Sequence, residues 1–220
     1  MDEILKGAGF LSSSVGHGDN LQFAQKMFQK FFAGLHLAKA VCGADEHDKE
    51  AAMQFISLQK YCATSTFTLT ILMEEISKKF GLSGLNNVFL AIDQGPKELL
   101  GFQHLLLKLR LLNIYLSHSD KRTDISESPV LAGLMQSILK LAGTDAIDAE
   151  LHSLMLKALE DAPNVVHSFT KLQEALMRHL YVDPKISRCC DVKLIGRAVK
   201  AVPGCLKELA QHLKDGWTED

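Results

Sequence analysis

The chain has 220 residues, 47% of them hydrophobic and 23% charged, and a formal net charge of −2; that balance excludes wholesale disorder and gives enough length to bury a substantial core. A near-neutral chain without a dense Lys/Arg cluster does not suit charge-driven nucleic-acid binding, so no nucleic-acid partner is expected. Its five cysteines (Cys42, Cys62, Cys189, Cys190 and Cys205) are odd in number and have no C-x-x-C spacing, which predicts reduced thiols in a cytosol-facing protein.

Residues 1–18 read as a flexible lead-in. A short helix over Asp2–Leu11 is weakened by Gly7 and Gly9, and Ser12–Gly18 is rich in small residues. The opening MDEILKGAGFLSSSVG lacks the basic-then-apolar order of a secretory signal, so export by that route is not expected.

Asp19 is a candidate N-cap, which predicts a helix beginning at Asn20 or Leu21 and ending near Cys42-Gly43. Leu21, Ala24, Phe28, Phe31, Leu35 and Ala38 follow the spacing of one face, and Phe23, Met27, Phe32, Leu37 and Val41 widen it. From Asn20 to Ala44 the segment carries Lys26, Lys30 and Lys39 and no acid, against the negative charge of the whole. A Phe-rich face flanked by cations suits an anionic membrane surface, where burial and attraction act together. The same pattern also describes an ordinary core helix with solvated lysines. The candidate membrane- or partner-binding residues are Leu21, Lys26, Met27, Phe28, Lys30, Phe31, Phe32, Leu35 and Lys39.

Acidic Ala44–Glu50 opens an apolar-periodic run from Ala51 to Phe80, in which Thr64–Ile71 alternates like a strand but finds no partner strand, so helix is expected, with room for a kink or break at that stretch. The carboxylates of Asp45, Glu46 and Asp48 lack the glycine and ligand spacing of a calcium loop and suit a helix N-terminus. Gly81 and Gly84 punctuate before a short helix over Leu85–Ile92, and Gly95-Pro96 marks a turn. Lys97–Leu116, almost entirely leucine apart from Lys97, Lys108 and Arg110, is expected to be the central and most buried helix. A membrane span needs about 20 apolar residues; Tyr61–Met73 is too short and Leu99–Leu116 is broken by charge, so no spanning helix is expected.

Ser117–Ser128 is polar, dense in turn formers and followed by Pro129, so the 117–129 loop is where a single helical domain over 19–220 would subdivide. Helices are expected at Val130–Leu141, Ala146–Glu160, Pro163–Leu180 and Asp191–Lys214, the last interrupted at Pro203-Gly204. The fold class is therefore all-α, an irregular bundle of about seven to nine helices without a sheet.

Nothing in this order nominates an enzyme. The nine histidines are scattered, with no H-E-x-x-H and no pair four apart, and no metal is expected. No Gly-rich phosphate loop or dinucleotide fingerprint occurs, and no cofactor is expected. Ser117-His118-Ser119-Asp120 places triad-type residues consecutively, where they cannot reach one another in the geometry of a nucleophile and base. Cys189-Cys190, flanked by Lys185, Arg188 and Lys193, is a candidate for acylation or redox chemistry, weighed against two inert thiols.

In order and type the sequence resembles the peroxin-eleven family of peroxisomal membrane-elongation proteins. The likeness lies in Asp19, Leu21, Phe28, Lys30, Phe31, Phe32, Ala33 and Leu35, then Leu58-Gln59-Lys60, then Leu107–Leu116 with Asn113 inside it, and last Val192–Leu213 with Gly196 and Gly204. The chain differs from the family at Gly16-His17-Gly18, where a basic residue is usual, and in the charges Arg197, Lys200, Lys207 and Glu208 of its last segment. The resemblance implies a non-enzymatic all-helical protein on the cytosolic side of the peroxisomal membrane. Such a protein inserts an amphipathic helix, curves the bilayer and self-associates into homo-oligomers before organelle fission. Two alternatives stand beside it: a cytoplasmic helical adaptor or effector that binds a helical protein partner through the same apolar face, and an enzyme or small-ligand carrier built in a helical bundle.

Overall fold

The computed structural model describes residues 11–13, 21–23, 26–58, 66–95, 101–119, 128–142, 149–169 and 171–173. Eight α-helices account for nearly all of them, so the all-α class stands. The chain divides into two compact units, Met1–Gly95 and Pro96–Asp220. The polar 117–129 segment lies inside the second unit, with 120–127 outside the described residues.

In the first unit, strand β1 (Leu11–Ser13) pairs antiparallel with β2 (Leu21–Phe23), Leu11 opposite Phe23 and Ser13 opposite Leu21. Helix α1 then spans Lys26–Cys42. This corrects the expected helix start at Asn20 or Leu21. Over Leu21-Gln22-Phe23 an apolar–polar–apolar order fits a strand as well as a first helical turn, and pairing with β1 decides between them. The other end falls where expected, with the Gly43 N–H donating to the Ala40 carbonyl at 3.2 Å.

Asp45 caps helix α2 (Glu46–Leu58), its Oδ1 accepting from the N–H groups of His47 at 3.0 Å and Asp48 at 3.1 Å. The acidic segment is thus a helix start. Helix α3 (Thr66–Glu75) includes most of the alternating threonine stretch, and the Thr70 hydroxyl donates to the Thr66 carbonyl at 2.9 Å. In a helix the hydroxyl can satisfy itself on the preceding turn, so the alternation imposes no strand.

A π-helical turn, Ile76–Phe80, carries α3 into helix α4 (Gly81–Gln94). Gly81 takes φ 58° and ψ −144° at the junction, a conformation open chiefly to glycine. Helix α4 is longer than the expected Leu85–Ile92, because Gly81 and Gly84 lie inside it rather than before it. A Cβ on Gly84 would sit 2.6 Å from the Phe80 Cβ, so glycine here permits a close approach. The core of this unit comprises Ile56, Leu69, Leu72, Met73, Ile76, Leu85, Val88, Phe89 and Ile92, all with no exposure.

In the second unit, helix α5 (Phe102–His118) packs against α6 (Pro129–Ala142), α7 (Ala149–Glu160) and α8 (Pro163–Ser168). It is the central helix of its unit, with Phe102, His104, Leu107, Leu109, Leu111, Leu112 and Tyr115 buried. It begins after Gly101, which adopts φ 63°, rather than at Lys97. Helix α8 stops at Ser168 instead of running unbroken from Pro163 to Leu180, and helical backbone returns over 171–173. The buried Gln173 side chain explains the early stop: its Nε2 donates to the carbonyls of Val166 at 2.9 Å and His167 at 3.0 Å, satisfying groups a continuing helix would have used. The expected segments beyond 173 lie outside the described residues.

Candidate functional site

Helix α1 carries eight of the nine candidate binding residues. Leu21, the ninth, is in β2 instead. Successive residues of a helix turn by about 100°, which places Gly34, Leu37, Ala38 and Val41 on one side. Those four are buried, and they meet chiefly α3, with α2 and α4 beside it. The sequence grouped Leu37, Ala38 and Val41 with the phenylalanines as one wide face. The structure divides that face in two.

Phe28, Phe31, Phe32 and Leu35 form a half-buried stripe beside the core contact, and the rings of Phe31 and Phe32 meet edge to face with centroids 5.5 Å apart. Met27, at the start of the helix, is 64% exposed. Lys26, Lys30 and Lys39 are all exposed, with Lys26 and Lys30 one turn apart. The N-terminal half of α1 therefore presents apolar side chains and cations to solvent, while its C-terminal half belongs to the core.

Gly34 marks the division. A Cβ there would lie 2.7 Å from the Ile71 Cβ and 2.8 Å from the Thr68 carbonyl oxygen, so α1 and α3 cross at a distance only glycine permits. Gly34 is not among the residues that the apolar spacing singled out. Its signal was a glycine inside an otherwise unbroken amphipathic helix, on the side that also holds Ala38 and Val41. At the helix end, Asn87 Nδ2 on α4 donates to the Val41 carbonyl at 3.4 Å.

Cys42, half-buried at the last turn of α1, has its thiol pKa pushed up by burial, partly offset by a hydrogen bond with Asn87 and the charge of Lys49. A thiol kept neutral is a poor nucleophile. Cys189 and Cys190 lie outside the described residues. Ser117 Oγ donates to the Ile114 carbonyl at 2.7 Å, back into its own helix, as a helix-end serine does. Among the described residues, no three His, Cys, Asp or Glu side chains converge to hold a metal, and no helix is long and apolar enough to cross a membrane. The side chains gathered at α1 can bury apolar area and attract anions; they include no acid–base pair.

Comparison of the chain with protein families, with curated proteins and with solved structures finds no match.

Proposed function

We propose that this protein is a non-enzymatic, membrane-surface protein that docks on anionic lipid through the N-terminal half of α1. The observation that carries the reading is the exposure of Met27, 64%, beside half-buried Phe28, Phe31, Phe32 and Leu35 and the exposed Lys26, Lys30 and Lys39, in a stretch without an acid. Apolar side chains entering the headgroup region and lysines above it act in the same direction, and neither alone would hold a protein firmly. The resemblance of the sequence to the peroxin-eleven family supports the cytosolic face of the peroxisome as the target in this reading, with self-association and membrane remodelling as the consequence.

Vesicle flotation of the full chain tests the reading. Wild type floats with phosphatidylserine-containing vesicles, and Met27→Glu loses that association while its melting temperature stays near wild type, because a residue so exposed contributes little to the core. A wild-type protein that never floats sinks the proposal. The adaptor reading then takes its place. A fluorescent fusion that marks peroxisome rings supports the organelle assignment, and diffuse cytosolic signal removes it.

A further inference from the structure

We propose that α1 meets the membrane while still packed on α3, so that the first unit docks as an intact bundle instead of releasing the helix; this rests on the membrane reading above. Release would uncover apolar side chains on both helices. Leu37, Ala38, Ala40 and Val41 are at most 7% exposed, and Leu69, Leu72 and Met73 on α3 are fully buried. The Gly34 crossing seats α1 against Thr68 and Ile71, and Asn87 holds its last turn. The lipid-directed residues are already outside this contact. Met27 and Lys26 stand at the start of the helix, and the stripe from Phe28 to Leu35 lies beside the buried side rather than under it.

Linkage separates docking in place from release. If only a released α1 bound lipid, apparent affinity would be reduced by the small released fraction, and anything that loosened the crossing would strengthen binding. If α1 binds in place, loosening gains nothing.

Gly34→Ala loosens the crossing by adding a Cβ where Ile71 and the Thr68 carbonyl leave no room. On phosphatidylcholine/phosphatidylserine vesicles, docking in place predicts an affinity within about twofold of wild type, or lower. A rise of about tenfold overturns the inference, being the response to overpacking if release were required. Hydrogen exchange on vesicle-bound wild type decides the matter without the variant. Protection of Leu37–Val41 and Leu69–Met73 is retained if the bundle stays closed, and its loss on binding overturns the proposal. Absence of any wild-type binding overturns the membrane reading and this inference together, and is distinct from bound protein with accelerated exchange, which overturns this inference alone.

Discussion

Asn113 on α5 and Asn164 at the start of α8 are joined by two hydrogen bonds: Asn113 Oδ1 accepts from the Asn164 backbone N–H at 2.9 Å, and Asn164 Nδ2 donates to the Asn113 carbonyl at 3.2 Å. The first N–H groups of a helix have no partner within it. Ala162, the residue before α8, offers no side-chain cap, and Pro163 at the first position has no N–H to satisfy. A side chain from another helix, 51 residues away in sequence, supplies the cap.

Asn113→Ala removes that acceptor and is expected to cost about 1–2 kcal/mol, the loss of a cap whose donor stays half-buried. Thermal melting should show a decrease of a few degrees. Asn113→Asp retains an oxygen toward the N–H and should lose less. Equal losses in the two variants would show that the cap is not the source.

Two glycine-to-alanine changes should shift stability in opposite directions. Gly133, exposed within α6, has nothing within 4 Å of an added Cβ, so Gly133→Ala should stabilise by about 0.5–1 kcal/mol. Gly34→Ala forces a clash with backbone and a β-branched stem, and should destabilise by about 1–3 kcal/mol. Urea unfolding of both variants checks the pair, and stabilisation by Gly34→Ala would contradict the close crossing.

Lys26→Glu combined with Lys30→Glu should weaken vesicle binding by about 1 kcal/mol or more for each lysine replaced. The deficit should shrink as salt rises, because ions screen charge and scarcely affect burial. Met27→Glu, in contrast, should remain defective at high salt. Flotation across a salt series separates the two, and a salt-independent lysine effect would argue against electrostatic attraction.

Alkaline pH should destabilise both units. Burial raises the pKa of Cys42, against the opposing influence of Asn87 and Lys49, and burial likewise raises that of Tyr115, which is 5% exposed. Each is neutral when protonated, so the unfolded chain gives up these protons first. Stability from both groups is therefore intact at neutral pH and declines as pH rises through the alkaline range. Denaturant midpoints measured against pH should fall less steeply for Cys42→Ser with Tyr115→Phe than for wild type. An unchanged alkaline limb would remove these residues as its cause.

Periodicity and punctuation by themselves determined the class and most element positions. The Asp45 cap, the Gly43 stop on α1, the leucine-rich α5 and the start of α8 at Pro163 all follow from local chemistry, since capping, φ restriction and the apolar stripe act within a few residues. The lysines of α1 were also legible as exposed, because a charged head group is rarely taken wholly out of water. Tertiary structure decided the rest. Whether Leu21–Phe23 is strand or helix depended on β1, and whether Gln173 ends α8 depended on a side chain folding back on carbonyls. Most consequential for the candidate site, the division of one broad apolar face into a core half and a half-exposed stripe depended on how closely α3 approaches at Gly34. A sequence records which residues are apolar; which of them are covered is set by the neighbour that arrives, through contacts that no local window contains.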